Sequence, residues 1–202
     1  MPRGRLRIIA GELKGRRILV PPGEVVRPTP DRVREALFDI LGPALSGLRV
    51  IDLYAGTGAL GLEALSRGAA HATFVERDAR VRATLARNAE DLGVAGRSRI
   101  LAGDVESLLA RRAVGGPFEL VLADPPYLEA PGERLLPALA GSGALVPGSK
   151  VVLQRHYRTP TAEAPGTGLV RHRTAAYGRT SLDFYSFSGD QAKPGALPGP
   201  RG

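Results

Sequence analysis

The sequence predicts an α/β fold with a mostly parallel, doubly wound sheet. From residue 49 onward, short apolar runs of strand length alternate with stretches of helical periodicity. The first apolar run, residues 50–53, ends in a glycine-rich turn that opens a helical pattern. The last two β-like runs have no helix between them. We therefore expect a sheet of seven strands whose C-terminal pair forms an antiparallel hairpin.

The length and composition limit the class of protein. With 202 residues and no cysteine, the chain is long enough for one hydrophobic core, and it has no disulfide framework or thiolate metal site. Its three histidines are scattered, which predicts no metal centre. No apolar run has the length of a membrane span. We expect a cytoplasmic protein, a monomer without membrane contact.

Positive charge is concentrated at the N-terminus. The first 34 residues carry nine Lys or Arg and three acids, which is +6 of the formal net charge of +8. Residues 6–10 and 16–20 alternate apolar and polar side chains around a glycine-containing loop, which predicts a β-hairpin. We interpret residues 1–25 as a basic arm that binds a polyanion. A merely solvated basic face is the alternative.

The remaining elements follow in chain order. A helix is predicted at 31–41, where apolar residues recur at helical spacing before Gly42-Pro43. The predicted strands are 49–54, 71–76, 98–102, 118–123, 149–154, 168–174 and 181–187. The predicted helices between them are 59–67, 78–92, 105–112 and 132–140. Residues 26–187 form the main domain in this interpretation, and the Gly/Pro-rich residues 188–202 form a disordered tail.

Three acids stand at the ends of successive predicted strands and indicate which nucleotide is bound. Gly56, Gly58 and Gly61 satisfy a dinucleotide-type glycine motif, but Asp52 stands where it would repel a pyrophosphate. A carboxylate there suits a cationic ligand such as S-adenosylmethionine. Glu76 is placed to accept ribose hydroxyls. Asp104 is placed to reach the adenine amino group.

The fourth strand runs into Asp124-Pro125-Pro126-Tyr127. Two prolines fix the backbone, so the Pro125 carbonyl can be held rigidly beside the Asp124 carboxylate. Two acceptors side by side match the two N–H donors of an exocyclic amine on a base, and Tyr127 offers a face for stacking that base. This motif predicts methyl transfer to a base amine.

These residues resemble a known family. Residues 52–61 with Asp124-Pro125-Pro126-Tyr127 look like a class I, Rossmann-like S-adenosylmethionine-dependent methyltransferase. The N-terminal Arg27-Pro-Thr and the Asp-Arg-Val-Arg-Glu run that starts at Asp31 resemble the bacterial 16S rRNA guanine-N2 methyltransferases, which modify the guanine at nucleotide 966. The resemblance covers roughly residues 5–187. It implies that the substrate is rRNA in an assembling 30S subunit.

The resemblance also implies roles for individual residues. The cofactor-binding residues would be Arg27, Thr29, Arg32, Asp52, Tyr54, Ala55, Gly56, Gly58, Glu76, Arg77, Asp104, Val105 and Asp124. The amine would be oriented by Asp124, Pro125, Pro126 and Tyr127. RNA phosphates would be bound by Arg3, Arg5, Arg7, Lys14, Arg16 and Arg17. An adenine-N6 methyltransferase, a non-catalytic RNA-binding assembly factor and, least favoured, a nicotinamide-dependent oxidoreductase stay open as alternatives.

Overall fold

The computed structural model describes residues 6–21, 30–43, 45–126 and 131–189. Its α-helices are α1 (Asp31–Leu41), α2 (Ala59–Ser66), α3 (Ala79–Asp91), α4 (Val105–Ala110) and α5 (Pro131–Gly141). Its strands are β1 (Arg49–Leu53), β2 (His71–Glu76), β3 (Ser98–Ala102), β4 (Phe118–Ala123), β5 (Leu145–His156), β6 (Leu169–Tyr177) and β7 (Thr180–Phe187). No helix in this part of the chain has the length and apolarity needed to span a membrane.

The strands form one mixed sheet in the order β3-β2-β1-β4-β5-β7-β6. The first five strands along the chain pair in parallel, whereas β7 pairs antiparallel with both β5 and β6. The prediction of a mostly parallel sheet with a C-terminal antiparallel hairpin is confirmed. The sheet order reverses at β1, because β2 lies on one side of it and β4 on the other. In α/β sheets ligands bind beyond the carboxyl ends of the strands at such a point.

Side chains alternate between two hydrophobic layers on opposite faces of the sheet. Val50 packs with α1, α2 and α3, whereas Ile51 and Leu53 pack with α4 and α5. Because side chains on a strand alternate, Asp52 shares the face of Val50 and lies on the side of α2. The helix following β1 is therefore the element with which the Asp52 carboxylate can interact.

The N-terminal residues pack against the main domain. Leu6, Ile8 and Ile18 are buried in the same core layer as α1 and α2. Ile8 donates its N–H to the Arg16 carbonyl at 2.9 Å, and one isolated antiparallel bridge joins Arg7 to Arg17. Ile18 likewise donates its N–H to the Leu6 carbonyl at 2.9 Å. The predicted β-hairpin is not shown as a pair of strands, because these few hydrogen bonds surround a single bridge and no strand forms within residues 6–21. We call residues 6–21 the docked arm.

The predicted domain boundaries remain predictions. The boundary at residue 25 falls outside the described residues, and so do residues 190–202 of the predicted tail. Ser188, the first residue of that tail, donates its N–H to the Gly168 carbonyl at 2.8 Å. The fifth strand begins earlier than predicted, and a register shift between Phe118 and Leu120 accompanies its first pairing with β4.

Candidate active site

The carboxyl ends of β1, β2 and β4 bring three acids to one edge of the sheet. Leu53 is in register with Val75 on one side and with Ala123 on the other. Asp52, Glu76 and Asp124 therefore stand at or next to adjacent strand ends. Burial raises the pKa of Asp52 well above its ordinary value, and the negative charges of Asp124 and Glu76 raise it further, while a hydrogen bond from Gly61 opposes the shift. The influence of Glu76 and Asp124 on Asp52 shows that these three carboxylates lie close together.

The turn between β1 and α2 has a left-handed backbone. Positive φ values occur at Tyr54 (61°), Gly56 (55°) and Gly58 (84°). A side chain at Gly58 would also collide with Leu85, because a Cβ atom there would lie 2.2 Å from Leu85 Cδ1. Glycine is required at Gly56 by conformation, and at Gly58 by both conformation and packing. The turn consequently exposes backbone rather than side chains to the edge of the sheet.

Two of these acids, Asp52 and Glu76, hold the turn in place. The Asp52 Oδ2 atom accepts the N–H of Gly61 at 2.9 Å. Glu76 Oε2 accepts the N–H of Gly56 at 3.0 Å, and its Oε1 accepts the N–H of Asp78 at 2.9 Å. Each carboxylate oxygen has two lone pairs, so Glu76 retains acceptor capacity for ribose hydroxyls. The acids therefore stabilise the turn and can still accept hydrogen bonds from a ligand.

A fourth acid, Asp104, caps helix α4. Its Oδ1 accepts the N–H of Ser107 at 2.9 Å, and this hydrogen bond is the main reason that the pKa of Asp104 is lowered. The positive charge of Arg77 lowers it further, as a smaller contribution. Val105, the next residue, is buried. Asp104 is exposed at the end of β3 and is ionised at neutral pH, which suits a role as acceptor for an amino group.

Tyr54 joins the glycine turn to α4. Its hydroxyl donates to Glu106 Oε1 at 2.6 Å. Burial and the neighbouring Glu106 carboxylate raise the pKa of Tyr54, so the phenol stays protonated. Ala55, the next residue, is buried and donates its N–H to the Val75 carbonyl at 2.9 Å. The turn is therefore anchored to both β2 and α4.

The motif after β4 lies only partly within the described residues. Asp124 is half-buried, Pro125 is buried and Pro126 is exposed, whereas Tyr127 lies outside the described residues. The N–H of Asp124 lies 3.4 Å from the Leu53 carbonyl. This contact keeps the start of the motif beside the end of β1, next to Asp52.

Two predicted cofactor residues, Arg27 and Thr29, also lie outside the described residues, whereas Arg32 is exposed on α1. The buried arginine of this helix is Arg34, which has no exposed surface. Arg34 Nη2 donates to the Arg7 carbonyl at 2.7 Å and to Asp31 Oδ1 at 2.8 Å. Arg34 therefore ties the docked arm to α1.

The basic residues of the docked arm face solvent. Arg7, Lys14, Arg16 and Arg17 are all exposed, whereas Arg3 and Arg5 lie outside the described residues. Arg7 lies 3.5 Å from Asp31, and Arg16 Nη2 donates to the Asp91 carbonyl at 2.5 Å. The exposed charges of the arm are consistent with the predicted contact with RNA phosphates. Among the described residues there is no group of three or more potential ligands that could hold a metal ion.

Comparison with known proteins shows the family. Residues 6–186 match the model of the family described as "Conserved hypothetical protein 95". The chain belongs to this family. It is 36% identical over 182 residues to the "Ribosomal RNA small subunit methyltransferase D" of Escherichia coli, covering 90% of each chain. The solved structure of yhhF from Escherichia coli is 35% identical, has a TM-score of 0.81, and is matched over 99% of its length and 92% of this chain.

A more distant structure shows the fold alone. An RNA methyltransferase from Salinibacter ruber, solved in complex with S-adenosyl-L-homocysteine, is 20% identical with a TM-score of 0.60. It is matched over 94% of its length and 80% of this chain. The chain described here therefore has the class I methyltransferase fold.

Several residues that support the site or the docked arm of this protein were not predicted from the sequence. Glu63, fully buried, accepts the backbone N–H groups of Ile9 (2.7 Å) and Ala10 (3.0 Å). Asn88 and Glu106 similarly connect the site to neighbouring elements. A single acid in the otherwise apolar helix α2, and an asparagine on the buried face of α3, were signals that could have identified Glu63 and Asn88.

Proposed function

We propose that this protein transfers a methyl group from S-adenosylmethionine to the exocyclic N2 of one guanine in 16S rRNA. The observation that supports it most strongly is the convergence of Asp52, Glu76 and Asp124 at adjacent strand ends. Burial raises the pKa of Asp52, and the charges of the other two acids raise it further. A cluster of carboxylates suits a cationic cofactor and a base amine, and it disfavours a pyrophosphate. The small-subunit rRNA relative from Escherichia coli supports the substrate class.

The residues present fit S-adenosylmethionine. The left-handed turn at Gly56 and Gly58 follows the buried Asp52, and in this proposal the Asp52 carboxylate pairs with the positively charged amino group of the cofactor. Glu76 holds the ribose hydroxyls, and Asp104 with Val105 holds the adenine. The cofactor supplies an electrophilic methyl group to this edge of the sheet. Arg27, Thr29, Arg32 and Arg77 complete the site in this proposal.

The Asp124 segment orients the base amine. The lone pair of an exocyclic amine is delocalised into the ring, which makes the amine a weak nucleophile. The Asp124 carboxylate and the Pro125 carbonyl accept its two N–H groups, draw the nitrogen toward tetrahedral geometry and direct its lone pair at the methyl group. Such positioning lowers barriers by up to about 7–11 kcal/mol in the best intramolecular cases. Tyr127 stacks the base, and the proton leaves to Asp124 or to water.

Asp124→Ala tests this role. We expect turnover to fall at least about 100-fold, because the amine loses one of its two acceptors. Affinity for S-adenosylmethionine, measured by calorimetry, should stay close to that of the wild type. Transfer of a tritiated methyl group measures turnover, and Glu90→Ala, an exposed acid on α3, is the matched control. Near-normal turnover in Asp124→Ala would exclude the assigned role.

Mass spectrometry of the modified nucleoside tests the substrate. N2-methylguanosine supports the proposal, whereas N6-methyladenosine would replace it with the adenine-N6 alternative, whose amine the Asp124 motif suits equally well. A wild-type protein that binds rRNA but no S-adenosylmethionine would instead be an assembly factor.

We further propose that the substrate is an assembling 30S subunit in the cytoplasm and that the enzyme acts as a monomer. Methylation of naked 16S rRNA and of 30S subunits that lack the modification compares the two substrates directly. Faster methylation of naked rRNA would contradict the first proposal, and a dimer in light scattering would contradict the second.

A further inference from the structure

The C-terminal antiparallel strands place a second set of side chains at the same sheet edge as Asp124. Strand β5 is parallel to β4, so its carboxyl end leaves the sheet on the side of Asp124. His156, at the end of β5, is in register with Thr180, and Thr180 is in register with Tyr177. The two-residue turn 178–179 therefore lies at this edge as well.

Four residues at this position form what we call the edge patch: His156, Tyr157, Arg158 and Arg179. The side chain of Tyr157 is 44% exposed, and the Arg158 guanidinium lies 5.3 Å from the centre of its ring. Arg158 Nε donates to the Tyr157 hydroxyl at 2.7 Å. Tyr157 donates its backbone N–H to the Arg179 carbonyl at 3.0 Å, which joins the two halves of the patch.

The patch rests on a buried ion pair. Arg155, 7% exposed, donates from Nε to Asp183 Oδ2 at 2.5 Å. It also donates from Nη1 to the Thr159 carbonyl at 2.6 Å and from Nη2 to Thr161 Oγ1 at 2.7 Å. The loop that follows β5 is therefore fixed on both sides of Tyr157 and Arg158. A fixed backbone lowers the entropy cost of binding.

The charges of the patch are available for a ligand. Arg158 and Arg179 are exposed, and neither forms an ion pair with a residue in the described part of the chain. The acid on the adjacent strand, Asp183, is fully buried and neutralised by Arg155. Within the described residues, no hydrogen bond uses either Nη atom of Arg158, so both are free to bind a phosphate in a bidentate manner. The patch thus presents uncompensated positive charge.

We propose that the edge patch binds the phosphodiester backbone of the rRNA a few nucleotides from the target base. Adjacent strands lie about 4.8 Å apart, so β6 is about 14 Å from β4 and the patch is within reach of nucleotides that flank a base held at Asp124. Arg158 and Arg179 contact phosphates, and Tyr157 is a positioning residue that orients the Arg158 guanidinium. This inference rests on the proposed function, because it assigns a second contact to the same RNA.

The double variant Arg158→Ala/Arg179→Ala tests the phosphate contacts. With 16S rRNA transcribed in vitro, we expect affinity to fall about tenfold and the slope of log affinity against log salt to fall by about 1.4 for two single-strand contacts. KM for rRNA should rise while kcat at saturating rRNA stays near the wild-type value. The control is Arg111→Ala/Lys150→Ala, which removes two exposed charges away from the carboxyl ends of the strands, at the end of α4 and in the middle of β5.

A double-mutant cycle tests the role of Tyr157. Tyr157→Phe removes the hydroxyl that accepts from Arg158 and should weaken rRNA binding about threefold by freeing that guanidinium. The same substitution should have no effect in an Arg158→Ala background. An equal effect in both backgrounds would show that Tyr157 acts independently of Arg158 and would overturn its role as a positioning residue.

The outcomes separate this inference from the proposed function. An unchanged affinity and salt slope in the double arginine variant overturn the edge patch, whether or not the wild type methylates guanine. Loss of binding to 30S subunits with unchanged binding to naked rRNA would also overturn it, because the patch would then contact a ribosomal protein. If the wild type makes no N2-methylguanosine on either substrate, the proposed function is contradicted. The salt slopes of rRNA binding still test whether the edge patch contacts phosphates.

Discussion

The side chain of Asn88 makes a two-point hydrogen bond with the backbone of Leu19. Oδ1 accepts the Leu19 N–H at 2.7 Å, and Nδ2 donates to the Leu19 carbonyl at 3.1 Å. The same Nδ2 donates to the carbonyl of Thr57 in the glycine turn at 3.0 Å. One buried amide on α3 therefore connects the docked arm with the turn proposed to hold the cofactor. The geometry gives the arm a structural as well as an electrostatic role.

Asn88→Ala should destabilise the protein. The substitution leaves the buried Thr57 carbonyl and the part-buried N–H and carbonyl of Leu19 without their partner, and an unsatisfied buried group costs about 1–3 kcal/mol. We expect the free energy of unfolding in urea to fall by about 3 kcal/mol. The control is Arg87→Ala on the exposed side of the same helix, which should change it by less than about 0.5 kcal/mol.

Asp52→Asn should lower the affinity for S-adenosylmethionine without lowering the free energy of unfolding at neutral pH. Because burial raises the pKa of Asp52, the folded protein binds its proton more tightly than the unfolded chain does. The stability from this group is therefore complete below the unfolded pKa near 3.8 and is lost as the pH rises through the folded pKa. An asparagine keeps an acceptor for Gly61 without a charge, so the free energy of unfolding at neutral pH should be equal or higher.

The affinity of Asp52→Asn for S-adenosylmethionine should fall about tenfold or more, because a charged acceptor is replaced by a neutral one. Calorimetry at neutral pH measures this affinity. Unchanged affinity would remove Asp52 from the cofactor site.

The double variant Lys14→Ala/Arg17→Ala tests whether the docked arm binds RNA phosphates, and it leaves the buried contacts of the arm intact. Both side chains are exposed, whereas a deletion of residues 1–20 would also remove Leu6, Ile8 and Ile18 from the core. We expect the salt slope of rRNA binding to fall by about 1.4–1.8 if each residue contacts one phosphate. The melting temperature should stay close to that of the wild type, and an unchanged slope would leave the arm with its structural role alone.

Asp78→Asn should reduce the acid sensitivity of α3. The Asp78 carboxylate caps this helix by accepting from Arg80 N (2.8 Å) and Val81 N (3.0 Å), which lowers its pKa below the ordinary value of 3.8. The stability from this group is present above pH 3.8 and is lost as the pH falls through the lowered folded pKa. Asparagine is also a good cap but does not titrate there. Unfolding free energies measured between mildly acidic and strongly acidic pH should therefore fall less steeply in the variant.

Local patterns predicted the secondary structure well. Strands β2, β3 and β4 lie at the predicted residues, because apolar runs bounded by charged residues and glycine specify buried parallel strands. The N-terminal hairpin was predicted from alternation over few residues, and there the structure shows one bridge. The contact of the buried Arg34 with the docked arm was not predicted, since helical spacing alone does not reveal which face of α1 meets the arm.

The sequence by itself determined the fold class, the glycine turn and the identity of the acids at the strand ends, because periodicity and strand-terminal residues are local properties. Only the tertiary structure decided that Asp52, Glu76 and Asp124 influence one another and that the arm docks through Glu63 and Asn88. It also decided that the β6–β7 turn reaches the edge that carries Asp124. These relationships depend on strand order and on contacts between residues far apart in the chain, which no local pattern encodes.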